Sequence, residues 1–218
     1  MTITIQYALW KDLPSEVRSL FAAFTGKGLA AGKSLYELYF YGYNIPHEVG
    51  HILRIVTKTH TERQWDEEMS CNSFAVAFWH AREAVELLRQ LEEILNLCIL
   101  HLADPCPPGE DRADFFNQHY QELSDPPSYA HYQFNMVLSA LSQPMGFEQA
   151  LHTLYNHTSP LLARLPAPGD PLITSDLPAQ TLSEIRTALD AFGLALPEVA
   201  LEREYTPAIQ RVVGLAYE

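Results

Sequence analysis

Apolar residues sit on one helical face over most of this chain, and the places where that pattern fails are informative. Val17, Leu20, Phe21 and Phe24 follow Pro14 and stop at Gly26, which predicts one short helix. Residues 26–34 then read as a flexible connector. Residues 35–43, LYELYFYGY, are apolar on both faces, so periodicity admits either strand or helix. Pro46 belongs in the first turn of a helix running to about Val56, with Ile45 before it extended. After a polar stretch at 57–64, Thr59-x-x-Glu62 and Thr61-x-x-Gln64 both fit a capping box, so a second helix should begin near residues 60–65. It continues, with a break near His80, through Val85, Leu88, Leu91, Leu95 and Ile99 to about Leu102. Further helices are expected at 114–123, 129–141, 146–156 and 181–192, the last after a proline-rich connector at 159–178. The fold class is therefore mainly α, or α+β if residues 1–10 and 35–43 form a small edge sheet. Residues 1–158 make up the main domain, and 159–218 a Pro-rich connector and helical extension packed on it.

Charge narrows the range of partners. Fourteen Lys and Arg stand against 27 Asp and Glu, a net charge of −13 that repels phosphate backbones and anionic lipid headgroups, so neither nucleic acid nor a membrane surface is expected as a partner. No basic, then apolar, leader opens the sequence and no run is long enough to span a bilayer, so a cytoplasmic location is expected. Cys71, Cys98 and Cys106 are odd in number and lack CxxC spacing, which argues for reduced thiols, with Cys71 and Cys98 in helices. Residues 26–34, GKGLAAGKS, imitate a phosphate loop. That motif requires Gly at position 27, and Lys27 stands there.

The chemistry concentrates in His47-Glu48-Val49-Gly50-His51. Two histidines four apart share one face of a helix and can direct a nitrogen each at one ion, with Glu48 beside them to act on water. Catalytic zinc takes three protein ligands and keeps a position for water, whose pKa it lowers, so a third ligand is required. Residues 65–75 supply the carboxylates Asp66, Glu67 and Glu68 at the start of the second helix. The metzincin extension fails, because Arg54 and Thr57 stand where Gly and His are needed. Gly50, costly inside a helix, points to close backbone packing near the metal.

Glu68-Met69-Ser70-Cys71-Asn72-Ser73-Phe74-Ala75, following HExxH, resembles the gluzincin metallopeptidases, in the version found in ImmA/IrrE-like peptidases and in uncharacterised bacterial HExGH proteins. The resemblance covers residues 44–79. It implies a zincin-like helical core in which Glu68, on the helix after HExxH, is the third zinc ligand, and Asn72 hydrogen-bonds and orients a ligand histidine. Glu67 is the alternative ligand, since neighbours on a helix diverge by about 100° and cannot both face one ion; otherwise it is a solvated carboxylate at the helix N-terminus. Gluzincins use a downstream Tyr or His to stabilise the oxyanion, and the densest such cluster, SYAHYQF, offers Tyr132 or His131. His119, His152 and His157 read as surface residues.

The expected function is thus a zinc metallopeptidase, with His47, His51 and Glu68 as ligands, Glu48 as catalytic base, and a peptide or protein as substrate. Two other classes compete with it. One is a non-catalytic regulatory or interaction protein that keeps zinc as part of its fold. The other is a hydrolase of small-molecule amides or esters. An intact Glu48 favours catalysis, because a purely structural site has no use for a base.

Overall fold

The computed structural model describes residues 2–155 and 168–203 of the 218-residue chain. Helices dominate: α1 (Ser15–Thr25), α2 (Leu29–Tyr36), α3 (Asn44–Thr57), α4 (Gln64–Ala81), α5 (Val85–Ile99), α6 (Arg112–His119), α7 (Pro126–Ser142), α8 (Phe147–Tyr155) and α9 (Leu177–Ala191). Two short strands, β1 (Thr2–Tyr7) and β2 (Glu198–Arg203), pair in parallel with Thr2 opposite Glu198 and Tyr7 opposite Arg203. The mainly helical class and the small sheet agree with the hydrophobic pattern, but the sheet's second strand is not the aromatic run at 35–43.

That run is a π-helix, Glu37–Tyr43, joined to α2 and α3 without a break. Tyr36, Glu37, Tyr43 and Asn44 all keep right-handed helical dihedrals, and the Asn44 amide donates to the carbonyl of Tyr39, five residues back. The 26–34 connector is accordingly only a turn at 26–28, followed by α2. Pro46 lies in the first turn of α3 as expected, but Ile45 is helical rather than extended, because α3 continues a helical run from Leu29 to Thr57. Proline in an α-helix has no N–H for the carbonyl four residues back and clashes with it. The wider π turn ends just before Pro46, where that conflict with Gly42 would arise.

Helix α4 is the axis of the core. From Phe74 to Trp79 every residue is fully buried, so this half is apolar all round, as a helix enclosed by neighbours must be. Helices α3, α5, α7 and α8 surround it, and α9 packs on α3. Its N-terminus departs from the expected capping box: Arg63 is the cap residue and no side chain caps it, although Asn117 Oδ1 of α6 accepts from the Trp65 amide at 2.9 Å. The break after α4 falls at residues 82–84, where Glu83 takes a positive φ of 61°. Arg82 ties this corner to the C-terminal part of the chain. Its guanidinium bonds both Glu184 oxygens of α9 at 2.6 and 3.0 Å and donates to the carbonyl of Gly169 at 2.8 Å.

Candidate metal centre

Helix α3 presents His47 and His51 one turn apart, and α4 crosses it so that Glu68 faces both. The crossing is close because Gly50 has no side chain. A Cβ there would stand 3.2 Å from Cα, Cβ and Sγ of Cys71. Glu68 Oε2 lies 3.2 Å from His47 Nε2 and 3.7 Å from His51 Nε2, and the two imidazole nitrogens are 3.2 Å apart. A tetrahedral zinc with ligand bonds of about 2.0–2.1 Å separates its ligand atoms by about 3.3 Å, so the three atoms already outline one face of such a site. Two imidazole nitrogens this close repel through their lone pairs unless a proton or a cation lies between them.

Polar atoms without partners gather at the same place. Glu48 accepts from Asn44 Nδ2 at 3.0 Å through Oε1, while its Oε2 has no partner. Glu68 Oε2, His47 Nδ1, Asn72 Nδ2 and the Tyr39 hydroxyl are likewise buried without a hydrogen bond. Buried polar atoms are rarely left unpaired, and an ion with its water would satisfy those of Glu48 and Glu68. The donor set, two imidazole nitrogens and a carboxylate oxygen, matches the ligand types of catalytic zinc, and a zinc ion fits these residues.

Electrostatics agree with a cation here. Burial alone would raise the Glu68 pKa, but the imidazoles of His51 and His47 hold it well below the carboxylate range. Burial would lower His51, yet the sulfur of Cys71 and the carboxylate of Glu68 raise it. Tyr39 is pushed up by burial and then by the charges of Glu68 and Glu48, and Tyr129 by burial and then by Glu68. Both phenols therefore stand within the field of this cluster.

The other candidates occupy different positions. Glu67 is not in the His47–His51–Glu68 group; it faces the far side of His51, with Oε1 3.5 Å from His51 Nδ1, and its Oε2 accepts from Arg54 Nε at 2.7 Å and from the Thr61 amide at 3.0 Å. Asn72 bonds Tyr43 rather than a histidine: its Oδ1 accepts from the Tyr43 hydroxyl at 2.8 Å. Tyr132 packs edge-on against Trp65 and beside Phe116, and His131 Nε2 lies 3.4 Å from Asp104. Neither joins the His–Glu cluster, because one helical turn of α7 directs them toward α6 and the 104–106 loop. His119 and His152 pair with Glu122 and Glu148 on their own helix or the next turn, and His157 lies outside the described residues. All three cysteines are free, Cys71 and Cys98 in helices, and burial raises the Cys71 thiol to about 11.

Three residues at this site were not assigned to it by sequence: Tyr39, Tyr43 and Arg54. A signal existed for the first two. Tyr39, Tyr43, His47 and His51 follow one another at intervals of four, one stripe along the continuous helix. The fold and site together define a helical protein with a buried His–His–Glu cluster. No family model, curated protein or solved structure matches the chain. Among the described residues, no helix is long and apolar enough to cross a membrane.

Proposed function

We propose that this protein is a zinc-dependent hydrolase, a metallopeptidase in its reaction type, that holds zinc with His47, His51 and Glu68 and cleaves a peptide or amide bond. The observation that carries the reading is the triangle of ligand atoms, together with the unpartnered Oε2 of Glu48, the residue after His47 on the same helix. Zinc held there would act as a Lewis acid and make water a nucleophile at neutral pH. Glu48 takes the proton from the attacking water and delivers it to the leaving nitrogen. Asn44 fixes Glu48 for that task by occupying Oε1 and leaving Oε2 free. Tyr39, whose buried hydroxyl has no hydrogen-bond partner and whose phenol stays protonated through burial and the charges of Glu68 and Glu48, is the donor we assign to a developing oxyanion. The net charge of −13 supports a peptide or protein substrate over nucleic acid, and three free thiols support a reducing, cytoplasmic setting.

One observation favours a second reading. His47 is 1% exposed and Glu48 and Glu68 5% each, which suits a zinc ion kept as part of the fold. Glu48→Gln separates the two. The amide keeps the metal and the fold but cannot accept the proton, so a zinc-loaded wild type should cleave members of a peptide library, read by mass spectrometry, and the variant should not. Equal cleavage by both would refute the role of Glu48. Full zinc retention with no cleavage by wild type, and a collapse of Tm on chelation, would establish the structural reading. One zinc per chain is expected, lost in His47→Ala/His51→Ala.

A further inference from the structure

The cluster contains one contact that ligand binding does not use: the carboxylate of Glu67 on the outer nitrogen of His51. We infer that Arg54 and Glu67 form a positioning pair that holds His51 in the tautomer with its proton on Nδ1, leaving Nε2 bare for the metal. The inference rests on the proposed zinc site.

The donors around Glu67 divide its two oxygens between them. Arg54 Nε and the Thr61 amide, two donors, both point at Oε2, at 2.7 and 3.0 Å. Arg54 is itself held by the Thr59 carbonyl, which accepts from Nη2 at 2.6 Å. Oε2 is therefore committed, and Oε1 is the oxygen left to face His51 Nδ1, at 3.5 Å. A carboxylate has only acceptors, so Glu67 favours the tautomer with the proton on the nitrogen that faces it. With Nδ1 protonated, the neutral ring has its lone pair on Nε2, which is the nitrogen aimed at Glu68 and at Nε2 of His47. His47 Nδ1, by contrast, has no partner. Tautomer control is thus confined to one of the two histidines.

Cys71 complicates the picture, since His51 Nδ1, a Glu67 oxygen and Cys71 Sγ also form a group compact enough for an ion. Two features argue against a second metal there. Arg54 already neutralises Glu67. A ring that binds metal through Nε2 must lose its second proton to bind another through Nδ1. Cys71 is also the competing acceptor for the Nδ1 proton, so the test includes it.

Glu67→Gln gives the most discriminating result. Its single carbonyl oxygen is claimed by Arg54 and Thr61, so its NH2 turns toward His51 Nδ1, donor against donor, and opposes the metal-binding tautomer. Zinc affinity, measured by competition with a chromogenic chelator, should fall about 10- to 100-fold in Glu67→Gln and in Glu67→Ala. Cys71→Ala should leave it unchanged. In 15N-histidine spectra of the zinc-loaded proteins, the slowly exchanging Nδ1 proton of His51 should be present in wild type and in Cys71→Ala, and shifted or lost in both Glu67 variants. Glu67→Gln keeps the Arg54 and Thr61 bonds, so it serves where Glu67→Ala fails to fold. Unchanged zinc affinity and an unchanged Nδ1 proton in Glu67→Gln would overturn the inference, as would the loss appearing in Cys71→Ala instead. Failure of wild type to bind zinc would instead overturn the metal site itself, and the inference with it.

Discussion

Glu68 and Glu67 are adjacent in sequence and opposite in circumstance. Glu68 sees two imidazoles across the ligand triangle, whereas Glu67 sees one imidazole from behind and an arginine. The pKa shifts of the metal-free protein give this a pH signature. Burial works to raise Glu68, but His51 and His47 bring it below its usual 4.5, so its contribution to stability is present above pH 4.5 and lost as pH falls through the lowered value. His51 is opposed by burial but raised by Cys71 and Glu68 above its usual 6.5, so its contribution is complete below pH 6.5 and lost as pH climbs through the raised value. Metal-free protein should therefore be most stable between about pH 4.5 and 6.5 and weaken on either side. With zinc bound the upper slope reverses, because deprotonated ligands bind metal more tightly. Thermal melts from acid to alkaline pH, with chelator and with zinc, should diverge above pH 6.5. Parallel curves would mean that the three side chains do not share one ion.

At the level of elements, the crossing of α3 and α4 depends on Gly50. Alanine there gains roughly 1 kcal/mol of helix propensity. Its methyl would press on the backbone and sulfur of Cys71 at 3.2 Å, and overpacking of that kind costs about 1–3 kcal/mol, so Gly50→Ala should be net destabilising by on the order of 1 kcal/mol. Urea denaturation would show it; a variant as stable as wild type would place the helices further apart. Close backbone packing at Gly50 was readable from the sequence, as were the helices with clean apolar stripes, α1, α5 and α9. The π segment was not. Its aromatic residues are apolar on every side, and Pro46 is an ordinary marker of a helix start; only the packed interior reveals that both belong to one longer helix. Tyr132 and His131 lie apart from the His–Glu cluster, and the density of Tyr and His in SYAHYQF does not say which of them face it. Of the tyrosines on α7, Tyr129, one turn before Tyr132, is the one whose phenol is raised by Glu68 after burial. Glu67 could be read as ligand or solvated carboxylate; it is buried, and Arg54 and Thr61, which come from the preceding helix and loop, hold one of its oxygens.

Across the whole molecule, segments distant in sequence are joined by few but specific contacts. Arg82 and Glu184 are an ion pair with side chains only 8% and 17% exposed, linking the corner after α4 to α9. Removing one partner of a buried pair leaves the other uncompensated and costs about 3–5 kcal/mol, so Arg82→Ala should destabilise strongly and raise amide exchange first in α9 and around Gly169. Exchange that rises evenly over the chain would show no local release. The parallel sheet makes the longest of these links, for Gln6 bonds Glu202 across a separation of 196 residues. A parallel pair cannot close until both strands exist, and β1 is synthesised long before β2. During translation the Ile3 and Ile5 edge must wait through the making of every helix described above. Refolding from denaturant should accordingly end with a late phase in which β1 docks, separable from the helical core by the order in which their amides become protected.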